Sequence, residues 1–213
     1  MNWVDVMNRS FPDLHATIAS NPLFSDTIRL GLVAFSDTAQ ELMTLTDLTD
    51  VVSLPGLQVG RGRNLAPVFK LLKQIIERDI ERFGQSHKIG RPYIFLLVSG
   101  EPDDENVWEL ALEELLDTSN KFRPETVAIG LNDFCKDFLN QVGTLGSICL
   151  GQGESLFNIF EEFLGFYSWG YESFSGETLV VPVVGSSNTE IGSARSTNQG
   201  GHVTTEYATG ENI

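Results

Sequence analysis

A run of six apolar residues, Tyr93–Val98, constrains the fold of this chain more than any other feature. Apolar residues without polar alternation are typical of a parallel strand buried on both faces, since helices cover both sides of such a sheet. The run ends at residues 99–104, which read Ser-Gly-Glu-Pro-Asp-Asp, and a helical pattern follows. The sequence therefore predicts an α/β fold with a polar loop at the end of this strand.

Strand and helix patterns alternate along the second half of the chain, which predicts a doubly wound, mostly parallel sheet flanked by helices. The chain opens on an amphipathic helix that ends at Asn21-Pro22. Strands at 28–35 and 40–45 are predicted to form a hairpin at a sheet edge. The apolar stripe of the first helix comprises Trp3, Met7, Phe11, Leu14 and Ile18. Further helices are predicted at 65–84, 107–116, 133–142 and 155–169, and further strands at 93–98, 126–129 and 147–150.

The length of the chain favours one folded domain followed by a tail. With 213 residues, of which 41% are hydrophobic, the chain supports one sizeable core. Residues 1–169 are predicted to form the domain. Residues 170–213 are rich in Gly, Ser and Thr and are predicted to be a disordered tail. An apolar run at 179–184 in this tail is able to pair with a sheet edge, although Pro182 lacks a backbone donor.

The strong acidity of the chain excludes some classes of partner. A formal net charge of -15 disfavours nucleic acid, because phosphate recognition needs a basic surface. Basic peptide segments or cations suit this surface better. No stretch reaches the ~20 apolar residues of a membrane span, and the N-terminus lacks the pattern of a signal peptide. The sequence therefore predicts a cytoplasmic protein that does not associate with a membrane.

Three short motifs lie directly before or after predicted strands. They are Asn21-Pro22-Leu23, Phe35-Ser36 and residues 100–104, Gly-Glu-Pro-Asp-Asp, followed by Trp108. In this order they resemble the von Willebrand factor A (VWA) family over residues 1–169, and within it the bacterial subgroup named for tellurite resistance. The resemblance implies a Rossmann-like VWA fold, a protein–protein interaction role and a bacterial stress or signalling setting.

The resemblance implies that the family's metal site is degenerate in this chain. The resemblance places Ser99 where the family has an aspartate, Arg63 or Asn64 where it has a threonine, and the DxSxS loop upstream of Met1. Mg²⁺ usually needs a carboxylate ligand. An arginine side chain ~4 Å from a dication adds repulsion of about 8 kcal/mol at an effective dielectric constant of ~20. We therefore expect no metal and no other cofactor, with Mg²⁺ possible only if an upstream segment completes the site.

The resemblance also implies that the first strand is missing. In the family this strand is central and precedes the first helix, whereas Trp3 already belongs to the helical pattern. The sheet is therefore expected to lack its first central strand. We expect the native or ancestral reading frame to extend upstream with a short apolar strand and a loop containing Asp and Ser.

Arg61 and Arg63 are the predicted centre of a partner-binding edge. They form the basic pair at the carboxyl ends of the predicted strands, where open α/β sheets bind ligands. An arginine there is able to bind a partner's carboxylate directly. The same edge is predicted to include Asn64, Ser99, Glu101 and Asp103.

A second interpretation of the acidic residues after Ser99 is structural. Asp103, Asp104 and Glu105 precede the helix predicted at Val107. Carboxylates are favoured at helix N-termini, so these residues are predicted to cap that helix.

Two alternatives to a binding module remain open. One is a small hydrolase or phosphotransfer enzyme centred on Ser99 and Asp103, although Leu97 and Glu101 stand where a GxSxG motif needs glycines. The other is a metal-dependent adhesion module completed by an upstream segment. The three histidines, His15, His87 and His202, show no catalytic or metal-binding spacing. The favoured prediction is a non-catalytic, metal-independent VWA-like interaction module.

Overall fold

The computed structural model describes residues 3–25, 28–131, 136–150 and 178–185. These ranges contain five α-helices, one short 3-10 helix and six strands. The helices are α1 (Trp3–Ser20), α2 (Pro22–Ser25), α3 (Ala66–Gly84), α4 (Val107–Leu115) and α5 (Lys136–Val142), and the 3-10 helix is Leu48–Asp50. The strands are β1 (Ile28–Phe35), β2 (Ala39–Thr46), β3 (Tyr93–Val98), β4 (Glu125–Gly130), β5 (Gly146–Cys149) and β6 (Thr178–Gly185).

The strands form one mostly parallel sheet in the order β2-β1-β6-β3-β4-β5. Every neighbouring pair is parallel except β1 and β2, which form an antiparallel hairpin at one edge. The turn of this hairpin is closed by the amide of Ser36, which donates to the carbonyl of Thr38 at 2.9 Å. The predicted parallel α/β architecture and the edge hairpin are both confirmed.

Helices cover both faces of the sheet. Successive side chains of β3 point to opposite faces, and all six are buried, so both faces carry apolar side chains that need cover. Ile94, Leu96 and Val98 lie in the core with helices α3, α4 and α5. Tyr93, Phe95 and Leu97 lie in a second core with α1. The buried residues of α1 include Met7, Phe11, Leu14 and Ile18 from the predicted apolar stripe.

Most predicted elements are found within one to three residues of their expected ends. The predicted helix at 133–142 is described from Lys136, and the predicted helix at 155–169 lies outside the described residues. No helix in the described ranges is both long enough and apolar enough to cross a membrane.

The main correction concerns the centre of the sheet. Strand β6 lies between β1 and β3 and is parallel to both, with Val180 facing Leu30 on one side and Tyr93 on the other. The sheet, which was expected to lack a central strand, therefore has one. The folded part of the chain extends beyond residue 169 to include β6, and this run lies at the centre of the sheet, not at its edge.

Proline 182 is accommodated by an interruption in one of the two ladders. On the β3 side the pairing runs continuously from Val180 to Val184. On the β1 side it stops after Val180 and resumes at Val183, and β1 is also irregular toward β2 at the same level. A proline inside a sheet is tolerated where the ladder is broken, because it has no N–H to donate.

Candidate functional site

The predicted partner-binding edge is formed where three loops meet. Strands β1 and β3 run in the same direction, so their carboxyl ends lie at the same edge of the sheet. The amide of Asn64 donates to the carbonyl of Ser36 at 2.9 Å, and the amide of Asp103 donates to the carbonyl of Arg63 at 3.3 Å. The loops after β1 and β3 and the loop before α3 are therefore in direct contact.

Arg63 and Asp103 form a three-point clamp between two of these loops. The Nη2 atom of Arg63 donates to Oδ1 of Asp103 at 2.7 Å, and the Arg63 amide donates to Oδ2 at 2.9 Å. The Nε atom of Arg63 also donates to the carbonyl of Glu101 at 2.8 Å. About a third or more of each side chain is exposed, so solvent screens the ion pair. The main effect of the pair is therefore to hold the two loops in a fixed position.

Two glycines permit this close approach of the loops. A Cβ atom on Gly100 would lie 3.3 Å from Nη1 of Arg63. A Cβ atom on Gly62 would lie 2.9 Å from the Cγ atom of Asp37 and 3.2 Å from its amide nitrogen. Larger residues at either position would displace the guanidinium or the turn after β1.

Asp104 caps a helix, but not the one predicted. Its Oδ1 accepts from the amide of Leu65 at 3.0 Å and its Oδ2 accepts from the amide of Ala66 at 2.6 Å. These amides open α3, so the carboxylate stabilises the N-terminus of α3. The predicted capping of α4 by this acidic run is wrong for Asp104 because the loop folds back across the edge. Helix α4 begins after Asn106, whose side chain makes no capping bond.

A narrow crevice lies beneath the clamp. Ser99, which is 2% exposed, lines this crevice together with Arg63. The crevice has no room for a water molecule. Its remaining walls are Phe35, Leu65, Val98, Gly100 and Pro102.

Arg61 differs from Arg63 in that its side chain is exposed. Within the described ranges it forms no hydrogen bond or ion pair. Asn64 is half-buried, and its Nδ2 atom donates to the carbonyl of Asp37 at 3.3 Å. The edge thus presents one uncommitted cation beside a clamp whose charges are already matched.

The six residues predicted for this edge are therefore neighbours in the loops at one end of the sheet. Contacts link Arg63 directly with Glu101 and Asp103, and Ser99 shares the crevice with Arg63. Their role in binding a partner stays a prediction. Sequence reasoning missed the link from Asp104 to α3, because 38 or more residues separate the carboxylate from the amides that it caps.

Metal-binding groups and histidines were the other candidates for chemistry among the described residues. They contain no group of three or more His, Cys, Asp or Glu side chains that could hold a metal ion. The Nε2 atom of His15 lies 3.2 Å from the carbonyl of Leu48, and Nδ1 of His87 lies 2.8 Å from the hydroxyl of Ser86. His202 lies outside the described residues.

No protein-family model matches this chain, and no curated protein or solved structure matches it.

Proposed function

We propose that this protein is a non-catalytic, metal-independent interaction module with a VWA-like fold, which binds a protein partner at the carboxyl ends of its strands. The bacterial stress or signalling setting implied by the motif resemblance is part of the proposal. The observation that carries it is the position of Arg63, which lines the crevice with Ser99 and whose guanidinium is held by Asp103.

The proposed absence of a metal follows from the charge in this crevice. In the VWA-like interpretation, Ser99 stands at a ligand position of the family and offers only a neutral hydroxyl. Arg63 already supplies one positive charge to the same crevice. A divalent ion there would be repelled by this guanidinium and would have to compete with it for the carboxylate of Asp103.

Arg61 is the residue proposed to contact the partner. It is exposed at the edge, whereas Arg63 already has a carboxylate partner. A carboxylate on the partner would gain a charge-assisted hydrogen bond from Arg61 without displacing the clamp. Asn64, Glu101 and Asp103 then position the loops around this contact.

Capture of partners by immobilised protein tests the proposal. The full chain, an Arg61→Glu variant and an Arg9→Glu variant are each incubated with extract of the organism that encodes them, and retained proteins are quantified. We expect Arg61→Glu to lose a defined set of proteins that the other two retain. Arg9 is a matched control because it is exposed on α1.

Two results would contradict the proposal. Equal retention by all three proteins would remove Arg61 from the binding surface. Turnover of a generic ester or phosphoester that disappears on Ser99→Ala would favour the hydrolase or phosphotransfer alternative.

A further inference from the structure

The outward face of α4 carries two adjacent apolar side chains in solvent. Val107 is 54% exposed and Leu110 is 61% exposed. Residues three apart are neighbours on a helix surface, so the two side chains form one small patch. The opposite face of α4 is buried through Trp108, Leu112 and Leu115. The exposed pair is therefore not needed for the packing of α4 on the sheet.

The patch lies in the most acidic part of the chain. Residues 101–117 contain eight carboxylates and no Lys or Arg. Asp103 is paired with Arg63 and Asp104 caps α3, which leaves six. All six are exposed, and within the described residues their one ion pair is between Glu114 and Lys73 at 3.9 Å. The six are Glu101, Glu105, Glu109, Glu113, Glu114 and Asp117.

Two features of the charge on α4 oppose the stability of this helix. Glu109 and Glu113 are four residues apart, a spacing at which like charges repel. Glu113 and Glu114 lie in the last turn, where the helix dipole favours cations and where α4 has no basic residue. Asn106 precedes the helix with a left-handed φ of 63° and no side-chain cap. Like-charge repulsion, the lack of a basic residue in the last turn and the lack of a side-chain cap each disfavour α4 as an isolated helix. Sequences that break such local rules tend to do so at functional sites.

We propose that this face of α4 binds a segment of a partner protein in which lysine or arginine side chains flank an aliphatic residue. The aliphatic residue packs on Val107 and Leu110. The cations pair with Glu109 and Glu113, and Glu114 keeps its ion pair with Lys73. The proposal goes beyond the strand-end edge because it uses a different surface and depends neither on Arg61 nor on a VWA-like fold.

Charge complementarity selects this class of partner. Nucleic acid and anionic lipid would bring phosphates against six exposed carboxylates. A basic segment instead removes the repulsion between glutamates and supplies cations at the helix C-terminus. The apolar pair adds a requirement that a simple polycation does not meet, because only a segment with an aliphatic side chain covers Val107 and Leu110.

A titration with defined peptides tests the proposal. The full chain, labelled with ¹⁵N, receives a synthetic peptide of lysine and leucine with the leucines on one helical face. A second peptide has serine at each leucine position and the same charge. We expect the first peptide to shift the amide signals of residues 105–114 and to bind about tenfold tighter than the second, as expected for burial of an aliphatic side chain.

Matched variants separate this face from the general acidity of the protein. Leu110→Ser should remove the advantage of the leucine peptide, whereas Leu145→Ser, at another exposed leucine, should not. Glu109→Gln with Glu113→Gln should weaken binding more than Glu77→Gln with Glu81→Gln on α3. Arg61→Glu should leave binding unchanged, so failure here is distinguishable from failure at the strand-end edge.

Three results would overturn the proposal. They are equal binding of the two peptides, signal shifts spread over the whole acidic surface, and no binding of the leucine peptide at all. Circular dichroism and thermal melting of Leu110→Ser check that α4 is still folded. If this variant unfolds, Leu110→Gln provides the same comparison with a better helix former.

Discussion

At the scale of single residues, Asp103 and Asp104 show how two adjacent carboxylates take different tasks. Asp103 holds the side chain and amide of Arg63, whereas Asp104 accepts from the first amides of α3. Both contacts cross between loops that are far apart in sequence. The Gly-Glu-Pro-Asp-Asp segment thus fixes the edge before any partner is present.

Replacing Asp104 by Ala should destabilise the protein by about 1 to 2 kcal/mol, because two helix amides lose their acceptor. Asp104→Asn should recover part of the loss, since asparagine is also a good capping residue. Glu105→Ala is the control and should change the free energy of unfolding by less than about 0.5 kcal/mol. Urea unfolding measures all three. An equal effect of Asp104→Ala and Glu105→Ala would refute the capping role.

A dependence of stability on pH is expected at Asp47. Burial raises the pKa of this carboxyl, but hydrogen bonds from the hydroxyl and amide of Thr49 and the charge of Arg29 outweigh burial and lower it below its usual value of 3.8. A lowered pKa in the folded state stabilises the protein above the unfolded pKa and loses this effect as the pH falls through the folded pKa.

Asp47→Asn should therefore be less stable than the wild type at neutral pH, and the difference should shrink as the pH falls below 3.8. Asparagine keeps the oxygen that accepts from Thr49, so the comparison isolates the charge. Thermal melting of both proteins between neutral and acidic pH measures the difference. A difference that grows toward low pH would contradict the sign of the pKa shift.

At the scale of elements, an ion triad joins the edge strand β2 to helix α3. Arg78 contacts both oxygens of Glu41 on β2 at 2.7 and 2.8 Å, and both oxygens of Asp79 at 2.8 and 2.9 Å. Asp79 is fully buried, whereas the Arg78 side chain is 45% exposed. Hydrogen bonds to Glu41 and Asp79 raise the pKa of Arg78, so Arg78 stays charged.

Arg78→Met should destabilise the protein by about 2 to 3 kcal/mol. Loss of one partner from a buried pair costs about 3 to 5 kcal/mol, and the exposure of Arg78 reduces this figure. A double variant that also carries Asp79→Asn should recover part of the loss. Arg82→Met, on the same helix and exposed, is the control. If the double variant is no more stable than Arg78→Met, the loss does not come from Asp79 left without its partner.

Elements with a strong local pattern could be predicted from the sequence. Tyr93–Val98 is apolar throughout and α3 has an amphipathic period, so both were found nearly to the residue. The pattern of β6 could not be interpreted in the same way. It is short, contains Pro182 and stands in a polar segment, and only pairing with β1 and β3 fixes its place. Such pairing is a long-range property that local propensity does not report.

At the scale of the whole molecule, β6 connects two halves of the sheet. One half is the hairpin of β1 and β2, and the other contains β3, β4 and β5. The general position of the candidate site followed from the sequence, because parallel strands place their carboxyl ends at one edge. The clamp of Arg63 by Asp103 did not follow, since it depends on how two loops fold over that edge.

The last prediction concerns this central position. A strand with neighbours on both sides should be part of the same cooperative unit as the rest of the sheet. Val183 faces Val33 on β1 and Leu96 on β3, so Val183→Pro places a residue without an N–H where both ladders are intact. We expect a loss of about 3 kcal/mol or more. Pro182→Val, at the interruption of the β1 ladder, should be neutral or stabilising by up to about 1 kcal/mol.

Urea unfolding and hydrogen exchange of the full chain measure both effects. In Val183→Pro, amides of β1 and β3 should lose protection together, because each strand loses the same neighbour. Pro182→Val is the matched control, since it adds a backbone N–H at the adjacent residue of the same strand, whereas Val183→Pro removes one. Unchanged protection of β1 and β3 in Val183→Pro would mean that the two halves of the sheet are stable without β6, and the central role of this strand would have to be abandoned.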